Sequence, residues 1–253
     1  MVISSSQSSS AEQQSCPHNN AISCGNCRLG SICLPLALEG EDIVKLDEIV
    51  QRGRPIQKGE HLYRESDNFS SVYAVRSGVI KAYRITNDGQ EQVTGFYFPG
   101  EIIGIDGISK DQYACSAKAL ETSAVCEIPF NRLEELSRQV PSMQRHFFQL
   151  MSQEITMDQQ LITMLSKNSA EERVAALLIS ISARNARRKL SKTSFRLPMS
   201  RTDIGNFLGL TVETVSRVIS RFNKQGLIAV ESKEVTLLDL EGLKDIANIK
   251  IDF

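Results

Sequence analysis

The chain has 253 residues, 41% hydrophobic and 23% charged, with a formal net charge of −1. That is the composition of an ordinary globular protein, long enough for one large domain or two medium ones with their own cores. It excludes a globally basic nucleic-acid binder, so any DNA-binding surface has to be a local patch, and no apolar run approaches the roughly 18 residues that span a bilayer.

The N-terminal stretch MVISSSQSSSAEQQS has seven serines and three glutamines and reads as a disordered tail, residues 1–20. It carries neither a basic n-region nor an apolar h-region, so a cytoplasmic location is expected, with cysteines serving as metal ligands or redox-active thiols rather than structural disulfides. Next comes CGNCRLGSIC, three cysteines in ten residues, with nothing around it that reads as a packed core. The spacing Cys24-x2-Cys27-x5-Cys33 supplies three ligands from one loop, and a fourth thiolate from elsewhere would close a four-cysteine site. Spacing leaves zinc, an iron–sulfur cluster and a thiol switch all open. Nor does it separate Cys115 from Cys126, both on β-like runs, as the remote partner; Cys16 is left without a role, though it could pair with His18 in a rival zinc site.

Glu41 to Arg52 predicts a short amphipathic helix through Ile43, Leu46, Ile49 and Val50. Eight of the fifteen glycines then fall between Gly53 and Gly107. Among and after them lie the runs HLYRE, SVYAVRSGVIKAYRIT, EQVTGFYF, ACSAKALE and SAVCEIPF, which predict an antiparallel sandwich or barrel over roughly 56–130.

From Pro141 the period becomes helical. Phe148, Met151, Ile155, Asp158, Ile162 and Leu165 follow coiled-coil spacing, while Phe147, Leu150, Met157, Leu161 and Met164 form a second apolar face expected against the chain's own barrel. Periodicity alone leaves open whether the first face packs within the chain or forms a dimer. In a parallel two-fold dimer Asp158 would meet its mate, and the two carboxylates would repel; otherwise it lies at the solvent edge.

Ser169-x-x-Glu172 is a capping box that opens another helix. In RTDIGNFLGLTVETVSRVISRF, Ser200 caps a first helix, Gly205 permits close approach, Gly209 makes the turn and Thr211 caps a second helix. The second helix should bury Val212, Val215, Val218, Ile219 and Phe222 and expose Glu213, Thr214, Ser216, Arg217, Ser220 and Arg221 toward a major groove. Arg217 suits guanine and Glu213 cytosine, with Arg201, Arg221 and Lys224 for phosphates. LIAVESKEVTLL follows as a two-stranded wing. The three histidines, His18, His61 and His146, are scattered and show no nucleophile–base pairing, so no enzyme is expected.

This order of elements resembles the Crp/Fnr superfamily of transcription regulators. CGNCRLGSIC, RPIQKGE, SVYAVRSGVIKAY, EQVTGF, ALETSAVCEIPF, SAEER and DIGNFLGLTVETVSR resemble its oxygen-responsive FNR branch. The resemblance implies an α+β fold: a cysteine-rich loop (21–40), an antiparallel β-roll or jelly-roll (41–140), a dimerisation helix (141–166) and a winged helix-turn-helix (167–253). Cyclic-nucleotide sensing is not expected, because no arginine occurs between Arg84 and Arg132 to hold the phosphate. The resemblance further implies a [4Fe–4S] cluster on Cys24, Cys27, Cys33 and Cys126, and a homodimer with the cluster and a monomer without it. Oxygen would destroy the cluster and dissociate the dimer. It also implies double-stranded DNA of the form TTGAT…ATCAA read by Glu213, Ser216 and Arg217, and RNA polymerase as partner through loops near Ser77 and Ile85 to Gly89. The alternative is a thiol- or zinc-based regulator of the same fold. Arg28, beside Cys27 where relatives commonly have a small residue, would either tune the cluster or point into solvent.

Overall fold

Between the glycine turns the β-branched and aromatic runs form seven strands: β1 (His61–Tyr63), β2 (Ser71–Ser77), β3 (Ile80–Ile85), β4 (Glu91–Tyr97), β5 (Ile102–Ile103), β6 (Ser116–Ala119) and β7 (Ala124–Pro129). The computed structural model describes residues 23–248, so the serine-rich tail, Cys16 and His18 lie outside it. The strands make two antiparallel sheets, β1-β6-β3-β4 and β5-β2-β7, curled into a roll. Its interior is packed with Tyr63, Tyr73, Tyr113 and Cys115; the Tyr63 and Tyr113 rings stack at 3.8 Å. The expected helix before the roll is α1 (Glu41–Ile49), which ends earlier than periodicity suggested because Val50 turns extended and Gln51 bridges to Glu127 on β7.

After the roll come α2 (Phe130–Gln139), α3 (Pro141–Lys167), α4 (Ala170–Arg187), β8 (Ser194–Arg196), α5 (Arg201–Leu208), α6 (Val212–Lys224), β9 (Ile228–Glu231), β10 (Glu234–Leu237) and α7 (Leu240–Ala247). The wing gains a third strand, in the order β8-β10-β9. Ser169 caps α4 and Glu172 returns the bond, as the sequence motif requires. The α+β class with an N-terminal roll, long helix and winged helix-turn-helix is the observed architecture.

The fully buried residues of α3 are all in its first third, Met143, His146 and Phe147. Of the face expected to pack within the chain, Leu150 and Met164 do pack against buried cores, but Met157 is exposed. Length left open one large domain or two medium ones with their own cores. Val79, Val93, Phe96 and Phe98 of the roll join one core with α4, α5 and α6. Polar groups reinforce that junction. Lys81 on β3 is buried and its Nζ bonds Glu91 at 2.7 Å and Asp203, in the first turn of α5, at 2.8 Å. Burial would pull the Lys81 ammonium down, but the two carboxylates more than offset this and hold it above its ordinary value. Arg173 of α4 donates to the carbonyls of Leu165, Asn168 and Leu208, tying the end of α3 to the turn of the helix-turn-helix.

Candidate functional sites

The cysteine loop is more ordered than its composition implied. Cys24–Asn26 and Leu34–Ala37 are short 3-10 turns, and Leu29 and Leu34 are buried at 6% and 1% exposure, pinning the loop to the roll. Between them the Gly30 amide donates to Cys27 O at 2.9 Å and the Cys33 amide to Leu29 O at 3.0 Å. Cys126 comes from β7, opposite Ala74 of β2. The structure brings Cys24, Cys27, Cys33 and Cys126 to the walls of one cavity, with Leu46, Val50, Ala74 and Ile128 among the apolar lining. Cys115 is not there; it is buried in the interior of the roll. Among the described residues, no three His, Cys, Asp or Glu side chains converge closely enough to hold a single metal ion.

Burial pushes the Cys24 thiol up to about 12, helped by Asp47, and burial also takes Cys33 to about 12. Cys126 is raised by burial too, against the opposing pull of Arg52 and Arg76. Such thiols are poor nucleophiles at neutral pH, and a metal centre binding them would displace their protons. Arg28 is exposed, the second of its two expected placements. Arg52 and Arg76, which sequence reading passed over, line the cavity instead. No local signal marks them: Arg52 lies in the irregular stretch after α1 and Arg76 near the end of β2.

In α3 the seam residues Phe148, Ile155 and Ile162 are 58%, 59% and 66% exposed, Asp158 is exposed, and Met151 and Leu165 are half-buried. Met151 instead leans on the core that also holds Cys24, Cys33, Met143 and Phe147. Tyr97 OH donates to Glu154 Oε1 at 2.7 Å, a second link from roll to helix.

The helix-turn-helix follows the expected construction. Ser200 accepts from the Asp203 amide and Thr211 from the Thr214 amide. A Cβ at Gly205 would lie 2.6 Å from the Leu210 carbonyl, and Gly209 adopts the left-handed φ of 62° that the turn needs. Val215, Val218, Ile219 and Phe222 are buried, but Val212 is exposed at 38%, because the first turn of α6 projects beyond α5. Glu213, Ser216, Arg217, Ser220 and Arg221 face solvent, while Thr214 is half-buried under its capping bond. Arg217 Nη2 rests on Thr214 Oγ1 at 3.2 Å. Arg221 pairs with Glu171 of α4, and Arg201 is half-buried, so each would have to shift to reach a phosphate.

Residues 172–246 match the family model of the Crp-like helix-turn-helix domain, and residues 54–140 that of the cyclic nucleotide-binding domain. The chain is 55% identical over 216 residues to the transcriptional activator protein anr of Pseudomonas aeruginosa, covering 85% of this chain and 88% of that one. It is 45% identical over 229 residues to the fumarate and nitrate reduction regulatory protein of Vibrio cholerae, covering 90% and 92%. The structure of FixK2 from Bradyrhizobium japonicum superposes with a TM-score of 0.72 at 27% identity, covering 78% of this chain and 97% of that one. Among the described residues no helix is long and apolar enough to cross a membrane. A β-roll fused to a winged helix-turn-helix, with such identity sustained along most of both chains, makes this protein a regulator rather than an enzyme: it belongs to the Crp/Fnr family of DNA-binding transcription regulators, among its FNR-like activators.

Proposed function

We propose that this activator responds to oxygen through a [4Fe–4S] cluster held by Cys24, Cys27, Cys33 and Cys126, dimerises along α3 while the cluster is in place, and then binds TTGAT…ATCAA promoter sites. The observation that carries this reading is the meeting of three loop thiols and one strand thiol around a single cavity. Four cysteine thiols are a donor set that zinc and an iron–sulfur cluster both accept, and membership among the FNR-like activators favours the cluster. When bound, the cluster would supply an oxygen-labile crosslink between the loop and β7.

The rest follows from the chain's own residues. Cys24, Cys33, Leu34 and Leu38 of the loop pack into the core that contains Met143, Phe147, Leu150 and Met151 of α3, so fixing the loop fixes the start of that helix. In the dimer, the seam from Phe148 to Leu165 of helix 141–166 would be buried and Asp158 brought against its mate. Pinning the loop has to offset that repulsion; about 5.5 kcal/mol swings a balance from 1:99 to 99:1. The pairing of two 167–253 units then presents two α6 helices to two half-sites. RNA polymerase would be met through the exposed turn from Ile85 to Gly89 and near Ser77 of the roll, 41–140.

The deciding measurement is iron, sulfide and zinc content of protein purified without oxygen, with the visible spectrum and mass in solution followed as air is admitted. About four irons and four sulfides per chain, with colour and dimer lost together, is the expected result. Zinc, or no metal and DNA binding indifferent to air, would leave the fold standing and replace the signal by a zinc- or thiol-based one. For DNA reading, Arg217→Ala should lose about 1–3 kcal/mol of discrimination at the half-site guanine, measured by competition between wild-type and guanine-substituted sites. An unchanged preference rejects Arg217 as the reader.

A further inference from the structure

Two guanidinium groups face the cavity that the four thiols share. Arg52 follows α1, with its side chain only 14% exposed. Its Nη2 donates to Cys24 Sγ at 3.5 Å and pairs with Asp47, and the same Asp47 oxygen accepts the Cys24 backbone N–H at 2.7 Å. One acid–base pair therefore grips Cys24 at both its amide and its sulfur. Arg76, near the end of β2, has Nη1 buried and, among the described residues, without a hydrogen-bond partner. A buried, unpartnered donor on a cation is costly, and neutral thiols cannot repay it. Thiolates around a metal–sulfur centre of net negative charge can.

We propose that Arg52 and Arg76 are the counter-charges of the bound centre, and that Asp47 and Arg52 together position Cys24 for it; this rests on the cluster reading above. They act as positioning residues and as an electrostatic shell, the part that Arg28 is too exposed to play. A four-thiolate cluster already carries net negative charge, and an added electron makes it more negative. Nearby cations favour that electron-rich form, so removing one should lower the midpoint potential and make the centre easier to oxidise.

The test uses the full chain, loaded and handled without oxygen, as wild type, Arg52→Gln, Arg76→Gln, Arg52→Lys, Arg76→Lys and Asp47→Asn. Four quantities are read: iron and sulfide per chain, midpoint potential, the rate of colour loss in air, and the rate of iron loss to a chelator. The glutamine variants should show a lower potential and colour loss faster by several-fold, and the lysine variants should recover most of both. Asp47→Asn should loosen Cys24 and lose iron to a chelator about 10-fold faster. Wild-type potential and air stability in both glutamine variants would overturn the proposal while leaving the cluster in place. Wild-type protein that holds no iron and sulfide is a different failure, that of the cluster reading. Should a glutamine variant not fold, the lysine variant decides: near-wild-type potential supports a charge role, and a large drop with the cation retained overturns it.

Discussion

Asp158→Ala is expected to be a dimer in air, and to hold a TTGAT…ATCAA site at concentrations where the wild-type protein is monomeric and unbound. The seam explains the size of the effect. Phe148, Ile155 and Ile162 are more than half exposed, apolar area that a second copy would remove from water, and Asp158 lies between Ile155 and Ile162 with no ion pair among the described residues. Apposed like charges at an interface cost several kcal/mol. If the pair costs about 3 kcal/mol, removing it tightens the dimer about 100-fold. Sedimentation of the aerobic variant checks this directly. A monomer would mean that carboxylate repulsion is not what restrains the helix.

Cys126→Ser and Cys115→Ser should separate completely. The first removes the only cavity-facing thiol contributed by the roll, so iron and sulfide should fall to background and anaerobic DNA binding with them. The second places a hydroxyl among Tyr63, Tyr73 and Tyr113, costing about 1–3 kcal/mol of stability but leaving the centre loaded. Metal analysis beside thermal unfolding distinguishes the two. Loss of iron in Cys115→Ser with retention in Cys126→Ser would reverse the assignment of the fourth ligand.

Much of this was legible locally. Caps, the left-handed turn at Gly209 and the close approach at Gly205 are written within 25 residues of one another, so the helix-turn-helix could be read without its surroundings. Three of the four cavity thiols are likewise adjacent in sequence. What failed were statements about what covers a face. Periodicity put Met157 on an apolar side, yet it is exposed while Met164, two turns on, is packed. Val212 has the right spacing to be buried and lacks a neighbour to bury it. Long-range polar pairs leave no trace in the pattern either: Lys81 and Asp203 are 122 positions apart, and a lysine in a strand reads as solvent-facing. Arg52 and Arg76 were missed for the same reason. Their meaning lies in a cavity assembled from α1, β2, β7 and the loop.

The Lys81–Asp203 pair bears on affinity in a way that concerns neither subunit alone. A dimer grasps its operator in two steps, and the second is intramolecular, governed by the effective concentration of the free reading head at the vacant half-site. Heads hung on slack tethers would sample a large volume and dilute themselves. A head seated on the roll by a shared core, a buried lysine and the Arg173 clasp sweeps little space. Avidity gains of about 10²–10⁴ over a single head are then open to the pair without any new contact to DNA, provided the spacing that the seat imposes matches the operator. Mismatch forfeits the gain entirely, so on a palindromic site of the proposed kind the same stiffness would reject half-sites one or two base pairs out of step.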